Sequence, residues 1–182
     1  MPLLPEHAGL HRLPHHKDLI SAMRKIIFMG RSGSGKTTLK QALRGEGIHY
    51  DKTQYIKYGD AIIDTPGEYC ESKHLGRALA LYAYEADVVG LLISSIEEFS
   101  TYSPGITTST NRETIGIVTQ IDRPDGDPAR AERWLRLAGC EKIFYVSAKQ
   151  GVGLDELMDY LKTDEERAAD AAEAKSKQAK AK

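Results

Sequence analysis

The stretch Gly-Arg-Ser-Gly-Ser-Gly-Lys-Thr-Thr at positions 30–38 limits the chemistry more narrowly than any other part of this chain. Gly30 and Gly35 enclose four residues, and Lys36 and Thr37 follow at once, giving the pattern G-x-x-x-x-G-K-[ST]. Glycines at such positions let the backbone curl until successive N–H groups point inward at phosphate oxygens. A helix beginning at Lys36 would add its positive end. Lys36 is then expected to reach the β- and γ-phosphates, and Thr37 to offer its hydroxyl to Mg²⁺. Arg31, Ser32, Gly33, Ser34 and Thr38 complete the loop and are candidate phosphate or nucleoside contacts. A merely flexible glycine turn is the competing reading. It is disfavoured by context, because the apolar run "KIIFM" (25–29) precedes the loop and a helical pattern follows it.

Further motifs fall where partners of such a loop are needed. "DTPG" (64–67) offers Asp64 to Mg²⁺ through a water and the Gly67 N–H to a γ-phosphate. Thr53 lies between the two motifs, where a threonine that senses the γ-phosphate and touches the metal would stand. An ordinary strand threonine explains it equally well. "TQID" (119–122) and "SAK" (147–149) are similar to the base-reading motifs N-K-x-D and S-A-K of small GTPases. A carboxylate at Asp122 can accept from the ring N–H and the amino group of guanine together, which adenine cannot supply. The Ala148 N–H would donate to the guanine carbonyl, with Ser147 and Lys149 beside the base and Thr119 and Gln120 below it.

These motifs need a scaffold that collects them. The pattern from residue 25 to about 162 alternates buried strands with helices. Strands are expected at 25–29, 88–94, 114–119 and 142–146, and a hairpin at 53–58 and 61–64. Helices are expected at 36–44, 73–85, 103–110 with Ser103 as its cap, 128–138 between Asp127 and Gly139, and 154–162. The result is a three-layer α/β/α P-loop NTPase fold, with a mostly parallel sheet and one short antiparallel hairpin. Ligands of such sheets sit at the carboxyl ends of the strands, and every motif above falls there.

Composition agrees with a folded domain. The chain has 182 residues, with 41% hydrophobic and 28% charged side chains. A net charge of −1 offers no general attraction to nucleic acid or acidic membranes. The longest apolar run, Val88–Ile93, is too short to span a bilayer. Cys70 and Cys140 lack metal or redox spacing and read as reduced thiols of a cytosolic protein. Two flanks differ from the centre. Residues 1–24 hold His7, His11, His15 and His16, but Pro14 interrupts any helix that would align them on a metal. Their leucines suit either a docking segment or a surface extension. Residues 163–182 are rich in Ala, Lys and Glu without an apolar face, and read as a solvated extension of the last helix.

The chain resembles the Era-like branch of P-loop GTPases. Within that branch it resembles the ethanolamine- and propanediol-utilisation family (EutP/PduV type), nearer the propanediol-type member. The carrying stretches are "GRSGSGKTTLKQALRGEGIHYDKTQ", "AIIDTPGEY", "EADVVGLLI", "FSTYSPGITTSTNRETIGIVTQID" and "VSAKQGVGLDELMDYL". They cover about residues 25–162. The resemblance implies a small cytosolic nucleotide-binding protein attached to a bacterial microcompartment, with GTP or GDP and Mg²⁺ as ligands and ATP or ADP as the alternative. It also implies a shell or cargo partner, for which residues 1–24 are the candidate. An acetate-kinase-type activity is attached to the ethanolamine members.

Some positions depart from the GTPase pattern. Thr119 replaces the usual Asn and Gln120 the usual Lys, so the tie between base and phosphate loops is expected to weaken, and guanine preference with it. Three functions follow: a slow GTPase acting as a switch or assembly factor, an ATP-dependent small-molecule kinase, or an interaction module with a structural nucleotide. Lys36 is the catalytic lysine in the first. Glu68, directly after Gly67, either acts on the attacking water or is an exposed switch residue. If it acts on the water, Glu68→Ala lowers single-turnover hydrolysis by about 10²-fold; an unchanged rate assigns it to solvent.

Overall fold

The computed structural model describes residues 23–44, 62–64, 83–168 and 172. Strand β1 (Ile26–Met29) is buried along its whole length. Its side chains alternate between two apolar layers: Ile26 and Phe28 join one, Ile27 and Met29 the other. Such a strand must be covered on both faces. Helix α1 (Lys36–Arg44) follows and packs Leu39, Ala42 and Leu43 into the first layer. Strand β2 is Ile62–Asp64 and β3 is Val88–Ser94. Strand β4 (Glu113–Thr119) leads to helix α2 (Pro128–Ala138). Strand β5 (Lys142–Tyr145) and helix α3 (Leu154–Leu161) complete the described elements.

The strand order is β2-β1-β3-β4-β5, and every described ladder is parallel. Helices α1 and α3 cover one face, and α2 covers the other through Ala131, Leu135 and Ala138. This is the three-layer P-loop arrangement expected from the sequence. Strand order reverses at β1, so a crevice opens outside the carboxyl ends of β1 and β3. Gly116 in β4 makes room for α2, since a Cβ there would lie 3.1 Å from Leu135 Cβ and 2.6 Å from Ile143 Cδ1.

Helix α2 is bounded as its sequence indicates. Asp127 Oδ1 accepts from the Arg130 N–H at 2.9 Å, Pro128 opens the first turn, and Gly139 closes the last at φ 105°. Other expectations are corrected. The helix expected over 103–110 is only a 3₁₀ turn, Ile106–Ser109. Gly105 adopts φ 70° and breaks the path from Pro104, so Ser103 provides no side-chain cap. The tail does not prolong α3. Lys162 turns to φ −59°, ψ 142° and bridges back to Met23. A new helical turn starts after Thr163, whose carbonyl accepts from the Arg167 N–H at 3.0 Å. Of the expected hairpin, the arm at 53–58 lies outside the described residues, and the other arm is β2, parallel to β1. Most of the helix expected at 73–85 is also outside them; Ala83–Glu85 form a 3₁₀ turn.

Both ends of the described core meet at the amino ends of the strands. The Arg24 N–H donates to the Leu161 carbonyl at 2.9 Å. The Arg24 side chain pairs with Glu113, which also accepts from the Tyr160 hydroxyl. Cys140 is a free, buried thiol, pushed up to about 12 by burial and therefore unreactive near neutrality. Cys70 lies outside the described residues. Among the described residues, no helix is long and apolar enough to cross a membrane.

Candidate functional site

The glycine loop leaves β1 at the crevice and re-enters the fold as α1. Its glycines serve two different needs. Gly33 and Gly35 take φ 81° and φ 88°, the left-handed region that side chains disfavour. Gly30 is required for space instead, since a Cβ would stand 2.4 Å from Ser34 Oγ and 3.0 Å from the Leu92 carbonyl. Lys36 is only 6% exposed. Its Nζ donates to the carbonyls of Gly30 and Arg31, both at 2.7 Å, so the ammonium sits against the first turn of the loop. Thr37 and Thr38 are exposed on the first turn of α1. Ser32 is exposed, and Ser34 is fully buried with a hydroxyl that has no hydrogen-bond partner.

Residues after β4 are tied directly to this loop. Thr119 Oγ1 donates to the Ser34 carbonyl at 2.6 Å. Gln120 Nε2 donates to the Gly33 carbonyl at 3.0 Å. Thr119 and Gln120 therefore retain a tie to the loop in place of the usual Asn and Lys: a hydroxyl and an amide each reach a loop carbonyl. Gln120 takes φ 56° to do so. A left-handed non-glycine costs about 1–2 kcal/mol. Three bonds oppose that cost: the Gly33 contact, and the Gln120 carbonyl accepting from Ser95 Oγ at 2.8 Å and from the Arg123 N–H at 3.1 Å. At about 0.5–1.5 kcal/mol each, they offset it.

The other motif joins the same place. Ser147 Oγ donates to Asp122 Oδ1 at 2.7 Å and accepts from the Gln150 N–H at 3.1 Å. One carboxylate oxygen is thereby anchored. A cleft of about 240 Å³ opens between Gly35 and Thr38 on one side and Asp122, Ala148 and Lys149 on the other, over Leu39 and Val146. A larger hollow of about 700 Å³ lies at the amino ends of β4 and β5, among Arg112, Glu113, Lys142 and Tyr160. None of the phosphate- or base-reading motifs borders it.

Asp64 ends β2, whose register sets it opposite Phe28 in β1, so its backbone stands beside the strand that feeds the loop. Thr53, Gly67 and Glu68 lie outside the described residues. Among the described residues, no group of three or more His, Cys, Asp or Glu side chains could cage a metal. By residue type alone Thr37 and Asp64 are candidate oxygen donors of the kind Mg²⁺ takes, an ion that uses one or two protein ligands and completes its shell with phosphate and water.

Three residues at the site escaped the sequence reading. The Tyr102 hydroxyl is shared between the carbonyls of Met29 at 2.8 Å and Leu92 at 3.1 Å, clamping the strands that flank the loop. Ser95 holds Gln120 as described. Phe99 lies under the guanidinium of Arg31, 4.6 Å from ring centre to Cζ, which gives the direction of Arg31. Nothing in their local spacing marks these residues; an aromatic in an irregular segment was the only cue.

Residues 23–163 match the sequence profile of the ethanolamine utilisation – propanediol utilisation family, PduV-EutP. The chain belongs to this family. Among relatives in it, the chain is 42% identical to the propanediol utilization protein PduV of Citrobacter freundii, over 79% of this chain and 96% of that protein. It is 32% identical to the probable acetate kinase EutP of Salmonella typhimurium, over 83% of this chain and 97% of that protein. The propanediol-type member is the nearer of the two, as the sequence stretches indicate. Among solved structures, the FeoB G-domain of Methanococcus jannaschii superposes with a TM-score of 0.49 at 18% identity, over 75% of this chain and 94% of that one.

The tie between the loops is open to a direct test. Thr119→Val keeps the side-chain shape and leaves the buried Ser34 carbonyl without its partner. A loss of about 1–3 kcal/mol in unfolding free energy is expected in urea melts, with weaker nucleotide binding. Thr119→Ser, which keeps the hydroxyl, is expected to retain most of both.

Proposed function

We infer that this chain binds a guanine nucleotide with Mg²⁺ and hydrolyses GTP slowly, as a switch or assembly factor in ethanolamine- or propanediol-type metabolism. One observation carries the reading: Thr119 and Gln120 tie the phosphate loop to the cleft where Asp122 is anchored by Ser147. Phosphate grip and base reading then belong to one rigid unit.

The roles follow from the donors and acceptors. Loop N–H groups and Lys36 hold phosphate oxygens, with the Lys36 ammonium exchanging loop carbonyls for phosphate. Thr37 and Asp64 hold Mg²⁺, which when bound would neutralise charge on the phosphates. The free edge of Asp122 accepts from guanine, and the Ala148 N–H donates to its carbonyl oxygen. The stem of Gln120 lies along one face of the base, with Lys149 near it. Thr53, Gly67 and Glu68 would complete the γ-phosphate side.

A second reading has support from the family. The relative from Salmonella typhimurium carries the name probable acetate kinase. Such an activity would use ATP and need an acceptor site beside the γ-phosphate. Calorimetry separates the two. Nucleotide-stripped protein titrated with Mg²⁺·GDP and Mg²⁺·ADP is expected to prefer GDP by about tenfold or more, or about 1.4 kcal/mol. Lys36→Ala is expected to abolish both isotherms. Equal affinity, or preference for ADP, favours the kinase, and acetyl phosphate formed from ATP and acetate would establish it.

Residues 1–24 are proposed to dock the protein on a microcompartment shell or cargo protein. Fused to a fluorescent protein, they are expected to give foci in cells that make microcompartments. A diffuse signal rejects this role.

A further inference from the structure

The cleft beside Asp122 is lined by a charged side chain to which no motif assigns a task, Arg123. Its Nε and Nη2 donate to Asp125 Oδ1 and Oδ2, both at 2.9 Å. Two parallel bonds fix the plane of a guanidinium as well as its position. The side chains are 50% and 58% exposed, so the pair adds little to stability by itself. The turn does not need it either. The Arg123 N–H donates to the Gln120 carbonyl and the Gly126 N–H to the Arg123 carbonyl, both at 3.1 Å. What the ion pair supplies is orientation, at the rim of a cleft.

The neighbouring side chain explains why orientation matters there. Gln120 has its amide committed to the Gly33 carbonyl. Its stem lines one wall of the cleft, so it can cover one face of a flat ligand and leaves the other face open to a second side chain. Asp122 and Ala148 can address only the edge of a base. A guanidinium is planar and weakly hydrated, and it gains free energy on the face of a π-system.

Resting on the nucleotide reading above, we propose that Arg123 is a nucleotide-binding residue whose guanidinium, held in plane by Asp125, stacks on the face of the purine. Every base has such a face, so the contact raises affinity without discriminating between purines. Selectivity stays with the edge contacts of Asp122.

This division of labour is tested on the full chain by calorimetry with Mg²⁺·GDP and Mg²⁺·ADP. Arg123→Ala is expected to weaken both by the same factor, about three- to tenfold, with the melting temperature unchanged. Arg123→Lys keeps the charge and loses the plane, and is expected to stay weak. Asp125→Asn is expected to give part of the loss. Unchanged affinities in Arg123→Ala overturn the proposal. So does a loss confined to one purine, which would make Arg123 an edge reader. Full affinity in Arg123→Lys also overturns it, by reducing the contact to charge alone. Wild-type protein that binds both purines equally removes the role of Asp122 and leaves Arg123 to be decided by its own variants. Protein that binds neither nucleotide overturns both.

Discussion

The Thr119 hydroxyl lies 2.6 Å from the Ser34 carbonyl, deep between β4 and the phosphate loop, and both halves of the cleft take their positions from that bond. Thr119 and Ser34 are each essentially buried, so neither group can turn to water instead. A buried polar contact of this kind contributes modestly to stability when made and costs far more when one partner is lost. It therefore acts as a constraint. Beside it, Gln120 leaves the strand in a left-handed conformation, and its amide reaches Gly33. Asp122 follows two residues later and is anchored by Ser147 from the end of β5. The glycine loop and the segments carrying Asp122 and Ser147 are thus coupled through a few short bonds rather than through a flexible linker.

The sheet makes this coupling possible. Parallel strands deliver their carboxyl ends to one side, and the order β2-β1-β3-β4-β5 opens the crevice at β1. The β3–β4 ladder runs to Ser94 opposite Thr119, so Ser95 emerges where it can hold the Gln120 carbonyl. Tyr102 then clamps β1 to β3 from the other apolar layer. Each support comes from an element remote in sequence, and each acts on backbone carbonyls. The loop geometry is held by side chains that donate to main-chain carbonyls, an acceptor that any donor of suitable reach can use, which is how Thr and Gln can stand where Asn and Lys are usual.

The opposite end of the sheet has a different chemistry. Arg24, Glu113, Lys142 and Tyr160 interlock there, with Arg24 and Lys142 over the Tyr160 ring at 4.7 and 4.5 Å. Burial pushes the Glu113 carboxyl up. Hydrogen bonds from Tyr160 and Arg24 and the charges of Arg24 and Lys142 outweigh that, and it titrates below the usual range. A depressed carboxylate stabilises the fold above its unfolded value, and that contribution fades as pH falls through the folded value. This cluster closes the core where residue 23 enters and residue 162 leaves. Met23 and Lys162 therefore meet at the end of the sheet away from the cleft.

Local chemistry was legible in the sequence because it depends on near neighbours. The glycine loop, the start of α1 at Lys36, and the caps Asp127 and Gly139 are decided within a few residues by backbone conformation and capping. Burial of β1 and β3 on both faces also shows in their unbroken apolar runs. Other features were not legible. Gly105 stopped a helix that Ser103 and Pro104 suggested, and Lys162 ended one that the tail composition would continue. The tie from Thr119 to Ser34 spans 85 positions in the chain, and whether a hydroxyl meets a carbonyl there depends on strand register to a fraction of a residue. The sequence by itself determined that a phosphate-binding loop stands at a strand end and that Asp122 and Ala148 follow later strands. Only the tertiary structure decided that they form one cleft, because hydrogen bonds a few ångströms long are satisfied by packing and register, not by residue type alone.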